Sequence, residues 1–222
     1  MAALSDKSDE THRRLLDAAL LIFAERGFEA STTRQICEQA KANPAAVNYH
    51  FGDKLGLYKA VLQNVVAVQR GRMAEHDLAD LEPKAALREF IRRMVAALSV
   101  QPTDPYQRLM VNEMAQPTAG LAVMVECIMR PRSKLLCSLV SRIIGSSPSS
   151  WQTRFAVYSV IAQIVHFLHA RPVIQLLWPD WRSDPAMTRR LAAHIEEFSL
   201  NALEHMSAAR SKSRKAPSAR SS

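Results

Sequence analysis

The stretch that most constrains the fold is Thr32–Phe51, where the end signals of two short helices can be read. Thr32 stands three residues before Gln35, the capping-box spacing that begins a helix by satisfying free backbone N–H groups. Asn43-Pro44 begins the second helix, because asparagine is a preferred N-cap and proline loses no hydrogen bond at the first helical position. The sequence therefore predicts two short helices joined by a tight turn.

The rest of the chain indicates an all-α protein. Apolar residues recur at spacings of three and four residues, and the alternation of β-branched residues that is typical of strands is absent. Glycine is scarce, with six in 222 residues. Pro131 is expected to kink or break one long helix near Met129, because proline lacks the N–H that an interior turn needs. Helices are predicted, among others, at about residues 8–26, 105–115, 119–145, 151–170 and 187–206.

The net charge of +8 does not by itself predict nucleic-acid binding, because of where the charges lie. Residues 1–60 contain eight basic and eight acidic residues, so this part is neutral. Residues 208–222 contain five basic residues and no acid, and without an apolar face they are predicted to be a disordered tail. The predicted organisation is an N-terminal three-helix domain (8–68), a C-terminal helical domain (69–207) and this basic tail.

Several classes of protein are excluded by composition. The sequence contains no run of eighteen apolar residues, so no membrane span is predicted. The first residues lack the apolar core of a secretion signal. Three cysteines without a CxxC pair argue against a disulfide framework or a zinc site, so a reducing cytoplasm is expected. No glycine-rich phosphate loop, GxSxG or carboxylate pair occurs, so no catalytic function, cofactor or metal is predicted.

The second short helix has the side chains of a DNA-reading helix. Val47 and Phe51 are spaced to face the core, which turns the other residues outward. Ala45 and Ala46 allow close approach to the bases and can contact a thymine methyl, and Asn48 can pair with adenine. Several residues around the two helices have backbone or side-chain donors that can contact DNA phosphates. These residues are Thr32, Thr33, Tyr49, His50 and Lys54.

Arg34 is long enough to reach either a phosphate or a base. The alternative is that any small α-domain contains such a pair of helices, with Tyr49 and His50 packed against the first and fourth helices. The residue pattern alone leaves both interpretations open.

The run TTRQICEQA…NPAAVNYHFGDKLGLYKAVL, after a helix ending in AERGF, resembles the N-terminal domain of the TetR family of bacterial repressors. The resemblance covers about residues 10–65. It implies a homodimer whose two recognition helices read a near-palindromic operator in double-stranded DNA, released by a small-molecule effector bound in the C-terminal domain. It also implies that Arg34, Ala45, Ala46 and Asn48 face bases, while Thr32, Thr33, Tyr49, His50 and Lys54 hold phosphates.

The turn departs from the family pattern. Lys41-Ala42 stand where the family usually has glycine followed by an aliphatic residue. A non-glycine residue in the left-handed conformation costs about 1 kcal/mol, so a slightly less stable turn is expected. Further on, Asn112-Glu113, Met129-Arg130-Pro131, Gln163 and Ala170 to Ile174 are similar to a branch typified by a regulator of antibiotic sensitivity in enteric bacteria.

Two stripes are candidates for dimerisation through a four-helix bundle, or for packing within the subunit. They are Phe155, Tyr158, Ala162 and Val165 on one helix, and Leu191, Ile195, Phe198 and Leu203 on the last.

Effector contacts are predicted from apolar and methionine-rich positions, which equally suit ordinary core. These are Met94, Met110, Met114, Met124, His166, Phe167 and Trp178, with Glu113 either an inward anchor for a cation or amide, or part of an exposed salt bridge. The identity of the effector stays open.

Two other mechanisms remain as alternatives. A redox-responsive regulator would use Cys127 and Cys137, which are about 15 Å apart along a straight helix and too distant for a disulfide unless Pro131 folds the segment back. Nonspecific DNA binding would use the basic tail, since flexible cationic segments add affinity without sequence choice.

Overall fold

The structure, a computed structural model, describes residues 2–72, 78, 80–99, 104–181 and 184–215. Within these residues every regular element is helical, which confirms the predicted all-α fold. The helices are α1 (Ala2–Arg26), α2 (Thr33–Ala40), α3 (Ala45–Phe51), α4 (Lys54–Arg72), α5 (Pro83–Leu98), α6 (Pro105–Ala115), α7 (Gly120–Met124), α8 (Arg130–Ile144), α9 (Trp151–His169), α10 (Arg171–Leu177) and α11 (Pro185–Lys215), with a π-helical turn (Val125–Met129) between α7 and α8.

The helices form two compact units. The first contains α1 to α4, α6, α7 and the π-helical turn, and the second contains α5 and α8 to α11. This grouping differs from the boundary between residues 68 and 69 that the sequence indicates. Leu109 of α6 and Met124 of α7 are fully buried in the core that α1 to α4 build. An apolar stripe shows that a helix is buried, but it does not show which helices bury it.

The core of the first unit fixes the positions of α2 and α3. Leu15 and Phe23 of α1 are fully buried, as are Ile36 of α2 and Leu57 of α4. Val47 of α3 is buried in the same core. Burying a large apolar side chain contributes about 1.5–3 kcal/mol, and helices as short as α2 and α3 depend on such packing because they would not form alone. Asn112 of α6 adds a hydrogen bond, because its side-chain amide donates to the carbonyl oxygen of Ala24 at 3.0 Å.

The irregularity predicted near Met129 is confirmed. The α-helical pattern of α7 changes to a π-helical turn over Val125–Met129 and returns to α-helix at Arg130, one residue before Pro131. Proline removes one backbone donor and its ring crowds the preceding turn, and a local change to π-helix is one way to relieve both effects.

The second unit is built around α5, α8, α9 and α11. Its core includes Ile91, Val95, Val140 and Ile144, all fully buried. Arg92 of α5 forms two hydrogen bonds, of 2.9 and 3.0 Å, to the two carboxylate oxygens of the buried Glu196 on α11. This paired geometry is the strong form of an arginine–carboxylate contact and fixes the register of the two helices.

The second unit also separates the two stripes proposed for dimerisation. Leu191, Ile195 and Leu203 are buried in its own core, so of the two alternatives left open for this stripe, these three residues pack within the subunit. Phe198 lies on the other side of α11 and is exposed. Three of the residues predicted on α9 are exposed, namely Phe155, Tyr158 and Ala162, and Val165 is half-buried.

The last helix is longer than the sequence indicates. It continues to Lys215, whereas the prediction ended it at about residue 206 and assigned 208–222 to a disordered tail. Residues 208–215 are therefore helical, and 216–222 lie outside the described residues. Alanine, lysine and arginine are good helix formers, and extending an existing helix costs far less than starting one.

Among the described residues, no single helix has both the length and the apolar character to cross a bilayer. A pair of helical segments, Trp151–Phe167 and Arg171–Leu177, bent by 67°, meets that requirement together by length and composition only.

Candidate nucleic-acid interface

The start of α2 has the capping geometry that the sequence predicts. Thr32 is extended, its hydroxyl accepts a hydrogen bond from the Gln35 backbone N–H at 3.2 Å, and its own N–H donates to the Gln35 side-chain oxygen at 3.0 Å. The reciprocal pair satisfies two backbone donors at the helix end and fixes where α2 begins.

The turn between α2 and α3 depends on Lys41. Its φ of 51° and ψ of 43° are left-handed, and among the described residues it is the one non-glycine with positive φ. The turn is closed by the N–H of Lys41 to the Glu38 carbonyl at 3.2 Å and the N–H of Ala42 to the Cys37 carbonyl at 2.9 Å. Lys41 thus takes the conformation that glycine would hold more cheaply, by about 1 kcal/mol.

The start of α3 is also capped as predicted. The side-chain oxygen of Asn43 accepts a hydrogen bond from the N–H of Ala45 at 2.9 Å, and Pro44 already has helical φ and ψ angles of −52° and −31°. The α-helical hydrogen-bond pattern begins one residue later, at Ala45, a difference that is usual at helix ends.

The outer face of α3 is open to solvent. Val47 is 1% exposed and belongs to the core of the first unit, whereas Tyr49 is 81% exposed. Ala45 and Asn48 are exposed on the same helix, and Ala46 packs partly against the core. The alternative that Tyr49 packs against neighbouring helices is therefore wrong.

His50 is partly a packing residue. It is half-buried, and its ring lies edge-on to those of Tyr49 and His12, with centroid distances of 4.9 and 5.6 Å. His12 in turn stacks on Phe51 at 4.7 Å. These contacts hold α3 against α1 and orient the Tyr49 ring outward.

The cationic candidates beside α3 have weak partners. The Arg34 side chain forms an exposed ion pair with Glu38 at 2.9 Å, one turn along α2. Such exposed pairs contribute about 0.2–1 kcal/mol, so Arg34 can exchange it for a phosphate or a base at little cost. The Lys54 ammonium lies 4.4 Å from the centroid of the Phe28 ring and 3.4 Å from the Glu29 carbonyl oxygen. Thr32 is exposed and Thr33 is half-buried at the start of α2.

Gly56 is a structural residue that the sequence reasoning missed. It lies in the first turn of α4, where its N–H donates to the Asp53 carboxylate at 2.7 Å. A Cβ atom at this position would stand 2.0 Å from the backbone oxygen of Phe51, the last residue of α3. A glycine inside a helical pattern is a known signal of close backbone approach, and it was present in the sequence.

A buried polar cluster behind α4 was also missed. Glu113 of α6 is 1% exposed, which corrects the interpretation of this residue as part of an exposed salt bridge. Its carboxylate accepts hydrogen bonds from the Tyr58 hydroxyl and from the backbone N–H and hydroxyl of Thr118, the latter two both at 2.8 Å. A Cβ on Gly120 would stand 2.5 Å from the Leu62 side chain, so α7 approaches α4 closely here. Burial raises the pKa of Tyr58, and the hydrogen bond and negative charge of Glu113 raise it further.

Replacing Tyr58 by phenylalanine is expected to lower the free energy of unfolding by about 1–3 kcal/mol, because the buried Glu113 carboxylate loses a donor. In the wild type the raised pKa of Tyr58 also adds stability that is complete below about pH 10, the ordinary tyrosine value, and is lost as the pH rises above it. Urea denaturation at pH 8 and at rising pH measures both effects. Tyr49→Phe, at an exposed site, is the matched control, and equal stability of the two variants would contradict the cluster's role.

The predicted effector residues are divided between the two units. Met110, Glu113, Met114 and Met124 belong to the first unit, and Met94, His166, Phe167 and Trp178 to the second. Met124 and Met94 are buried in the cores of their own units, whereas Met114 and Trp178 are exposed. In the part of the chain that the structure describes, no three His, Cys, Asp or Glu side chains are arranged to hold a metal ion.

Comparison with known proteins matches both parts of the chain. Residues 15–61 match the bacterial regulatory proteins of the tetR family, and residues 83–204 match the C-terminal domain of the HTH-type transcriptional dual regulator CecR. The dual regulator CecR of Shigella flexneri is 30% identical over 190 residues, which cover 81% of this chain and 84% of that protein. The transcriptional repressor BepR of Brucella suis biovar 1 is 25% identical over 168 residues, covering 72% and 79% of the two chains.

The fold is that of solved regulators. The crystal structure of AibR in complex with isovaleryl coenzyme A and operator DNA matches 85% of this chain and 97% of that one, with a TM-score of 0.64. The sequence identity is 15%, so this likeness concerns the fold.

A capped helix-turn-helix followed by a helical C-terminal domain defines a DNA-binding transcriptional regulator. The chain belongs to the TetR family of bacterial regulatory proteins, and its C-terminal domain is of the CecR type. The predicted family, branch and regulatory rather than enzymatic function are confirmed. Operator DNA, a second copy of the chain and a small-molecule effector are the partners of such a regulator.

Nothing in the comparisons supports the redox or nonspecific-binding alternatives. The three cysteines are free thiols, and burial raises the pKa of Cys37.

Proposed function

We propose that this protein is a cytoplasmic repressor that binds a two-fold symmetric operator as a homodimer through α3 and the start of α2. The observation that carries this proposal is the contrast on α3 between the buried Val47 and the exposed Tyr49. A seven-residue helix anchored on one side by the core presents its other side to the major groove. The TetR-family relatives that are named as repressors, including BepR, support repression as the mode of action.

Base contacts are assigned to the small and polar residues of α3 and to Arg34. Ala45 is exposed and lacks a side chain beyond Cβ, which lets the helix backbone approach the base edges. Asn48 lies on the same short helix and has the amide that pairs with adenine N6 and N7. Arg34 reaches outward from α2 once its exposed pair with Glu38 opens.

Phosphate contacts are assigned to the residues that surround this face. Tyr49 presents a hydroxyl donor on an 81% exposed side chain, and Lys54 presents an ammonium group that contacts a backbone carbonyl and a ring. Thr32 and Thr33 lie at the start of α2, where free backbone N–H groups attract anions. His50 is assigned a phosphate contact from its half-buried edge. These contacts position the helix, and the base contacts select the sequence.

The dimer surface is assigned to the exposed aromatic face of α9 together with Phe198 of α11. Trp151, Phe155 and Tyr158 follow each other at helical spacing, and each is more than 60% exposed. Large apolar side chains grouped on a surface mark protein interaction sites, and two helices from each subunit can pair as a four-helix bundle. Leu191, Ile195 and Leu203 pack in the core of the second unit and hold α11 in place.

Footprinting of the wild-type protein on the intergenic DNA beside its own gene tests the function. We expect one protected site of two half-sites related by two-fold symmetry, with centres separated by about 34–36 Å or a multiple of it. Symmetric protection supports both the repressor and the dimer. If no discrete site is protected at salt concentrations that suppress nonspecific binding, the proposal is wrong.

A further inference from the structure

The exposed face of α9 has a symmetric arrangement of residues. Along the middle of this face lie Phe155, Tyr158, Ala162, His166 and His169, and all five are exposed. At about 100° per residue, each of them lies within about 40° of Ala162 around the helix axis. Tyr158 and His166 stand four residues before and after Ala162, and Phe155 and His169 stand seven residues before and after it. The stripe therefore has the same spacing in both directions from Ala162.

A helix face with this symmetry fits a second copy of itself. Where two copies of a helix cross antiparallel at a two-fold axis, a residue before the crossing meets the residue equally far after it on the partner. A crossing at Ala162 places Tyr158 opposite the partner's His166, and Phe155 opposite the partner's His169. Each aromatic ring then gains an imidazole for edge-on or offset contact, and the Tyr158 hydroxyl gains a ring nitrogen as a hydrogen-bond partner.

The size of the side chains selects Ala162 as the crossing point. Packed helices approach to about 8–10 Å, depending on the side chains at the contact. Ala162 has the smallest side chain of the stripe and permits the closest approach, whereas a crossing at Phe155 would set two rings against each other at the axis. Because α9 begins only four residues before Phe155, such a crossing would also leave His166 and His169 with no part of the partner's α9 opposite them.

The area of the interface also requires the histidine half of the stripe. The aromatic residues of the dimer surface are 59–72% exposed, and they are Trp151, Phe155, Tyr158 and Phe198. With about 150–250 Å² for a whole aromatic side chain, the four present roughly 400–650 Å² together. A stable interface buries about 800 Å² on each partner. The exposed residues that continue this face along α9 beyond Tyr158 supply the remainder.

We propose that the two-fold axis of the homodimer passes through the crossing of two α9 helices at Ala162, with Tyr158 on the partner's His166 and Phe155 on the partner's His169. On α11, Phe198 flanks the crossing, and the Gln163 side-chain amide donates to the Ser199 hydroxyl at 3.3 Å, which holds α11 beside α9. The inference rests on the homodimer of the proposed function and adds the register of its interface. His166, predicted from the sequence as an effector residue, thereby joins the dimer surface.

Disulfide cross-linking of the full-length protein tests this register, because a residue at a two-fold axis meets its own copy. Under mild oxidation Ala162→Cys should form a covalent dimer on a non-reducing gel, since facing Cα atoms at a close helix crossing lie within reach of a disulfide. Tyr158→Cys and His166→Cys should each form none alone, because each residue is about 12 Å from its own copy along the helix axis. The double variant Tyr158→Cys/His166→Cys should cross-link again. The wild type shows the background from its native cysteines, which are Cys37, Cys127 and Cys137.

A covalent dimer of Tyr158→Cys alone, or none of Ala162→Cys, would overturn the register. These positions are exposed, and thermal unfolding checks that the variants fold. Sedimentation velocity separates the register from the dimer itself. A protein that sediments as a dimer but does not cross-link at Ala162→Cys keeps the homodimer and refutes the crossing, and a monomer refutes both. Failure of the footprint in a protein that cross-links at Ala162→Cys would refute the repressor and leave the crossing intact.

Discussion

Replacing Tyr49 by alanine is expected to weaken operator binding by about 150-fold to 25,000-fold. A hydrogen bond to a charged group contributes about 1.5–3 kcal/mol, and a homodimer loses one in each half-site, so the loss is about 3–6 kcal/mol. The effect on folding should be small, because the side chain is 81% exposed and changes at such sites stay within about 0.5 kcal/mol. Fluorescence anisotropy with labelled operator DNA measures the affinity, and thermal unfolding checks the fold.

Tyr49→Phe is the matched control for the hydroxyl group. If the phosphate hydrogen bond carries the effect, phenylalanine should lose nearly as much affinity as alanine. If phenylalanine keeps wild-type affinity, the ring packs against the DNA or against His50 and the assigned phosphate contact is wrong. Affinity within about threefold of wild type for Tyr49→Ala would remove this face of α3 from the interface, since even a single lost hydrogen bond of this kind has a larger effect.

Replacing Gly56 by alanine is expected to destabilise the first unit by about 3 kcal/mol or more and to abolish operator binding, because overpacking against a fixed neighbour is costly. Helix propensity alone predicts the opposite sign, since alanine is favoured over glycine by about 1 kcal/mol in a helix interior. The new Cβ would stand 2.0 Å from the Phe51 backbone oxygen, however, and a backbone atom cannot move aside as a side chain does. The steric clash therefore outweighs the gain in helix propensity, and α3 must shift relative to α4.

Gly27→Ala is the matched control for this change. Gly27 has a positive φ of 75°, and no neighbouring atom would lie within 4 Å of an added Cβ. Alanine there costs only the left-handed strain of about 1 kcal/mol. Urea denaturation followed by circular dichroism should place Gly27→Ala near the wild type and Gly56→Ala far below it. A Gly56→Ala protein that is more stable than the wild type would contradict the close approach of α3 and α4.

The helices that carry strong end signals were predictable. Thr32 with Gln35 and Asn43 with Pro44 act through hydrogen bonds between residues at most three apart, so the sequence contains all the information they need. The left-handed Lys41 was predictable from the family resemblance, since it stands in the turn position where the family usually has glycine. The end of α11 was missed, because favourable helix propensity in residues 208–215 was outweighed in the prediction by their lack of an apolar face.

The candidate site was predicted only in part, because partners far apart in the chain decide the rest. Glu113 has the same local sequence whether it is exposed or buried. Its hydrogen bond to Tyr58, 55 residues away, decides that it is a buried acceptor. The methionines predicted for an effector pocket face the same ambiguity, and Met94 and Met124 are core residues of different units.

The sequence by itself determined the helix-turn-helix, the residues available on its outer face and the regulator family, since these depend on short-range caps, spacing and residue chemistry. The tertiary structure decided which side chains remain exposed. Tyr49 points to solvent because Val47, two residues earlier on α3, is held in the core. The tertiary structure also decided that Leu191, Ile195 and Leu203 face inward while Phe155 and Tyr158 do not. Burial is set by the packing of helices distant in sequence, and an apolar stripe does not name its partner.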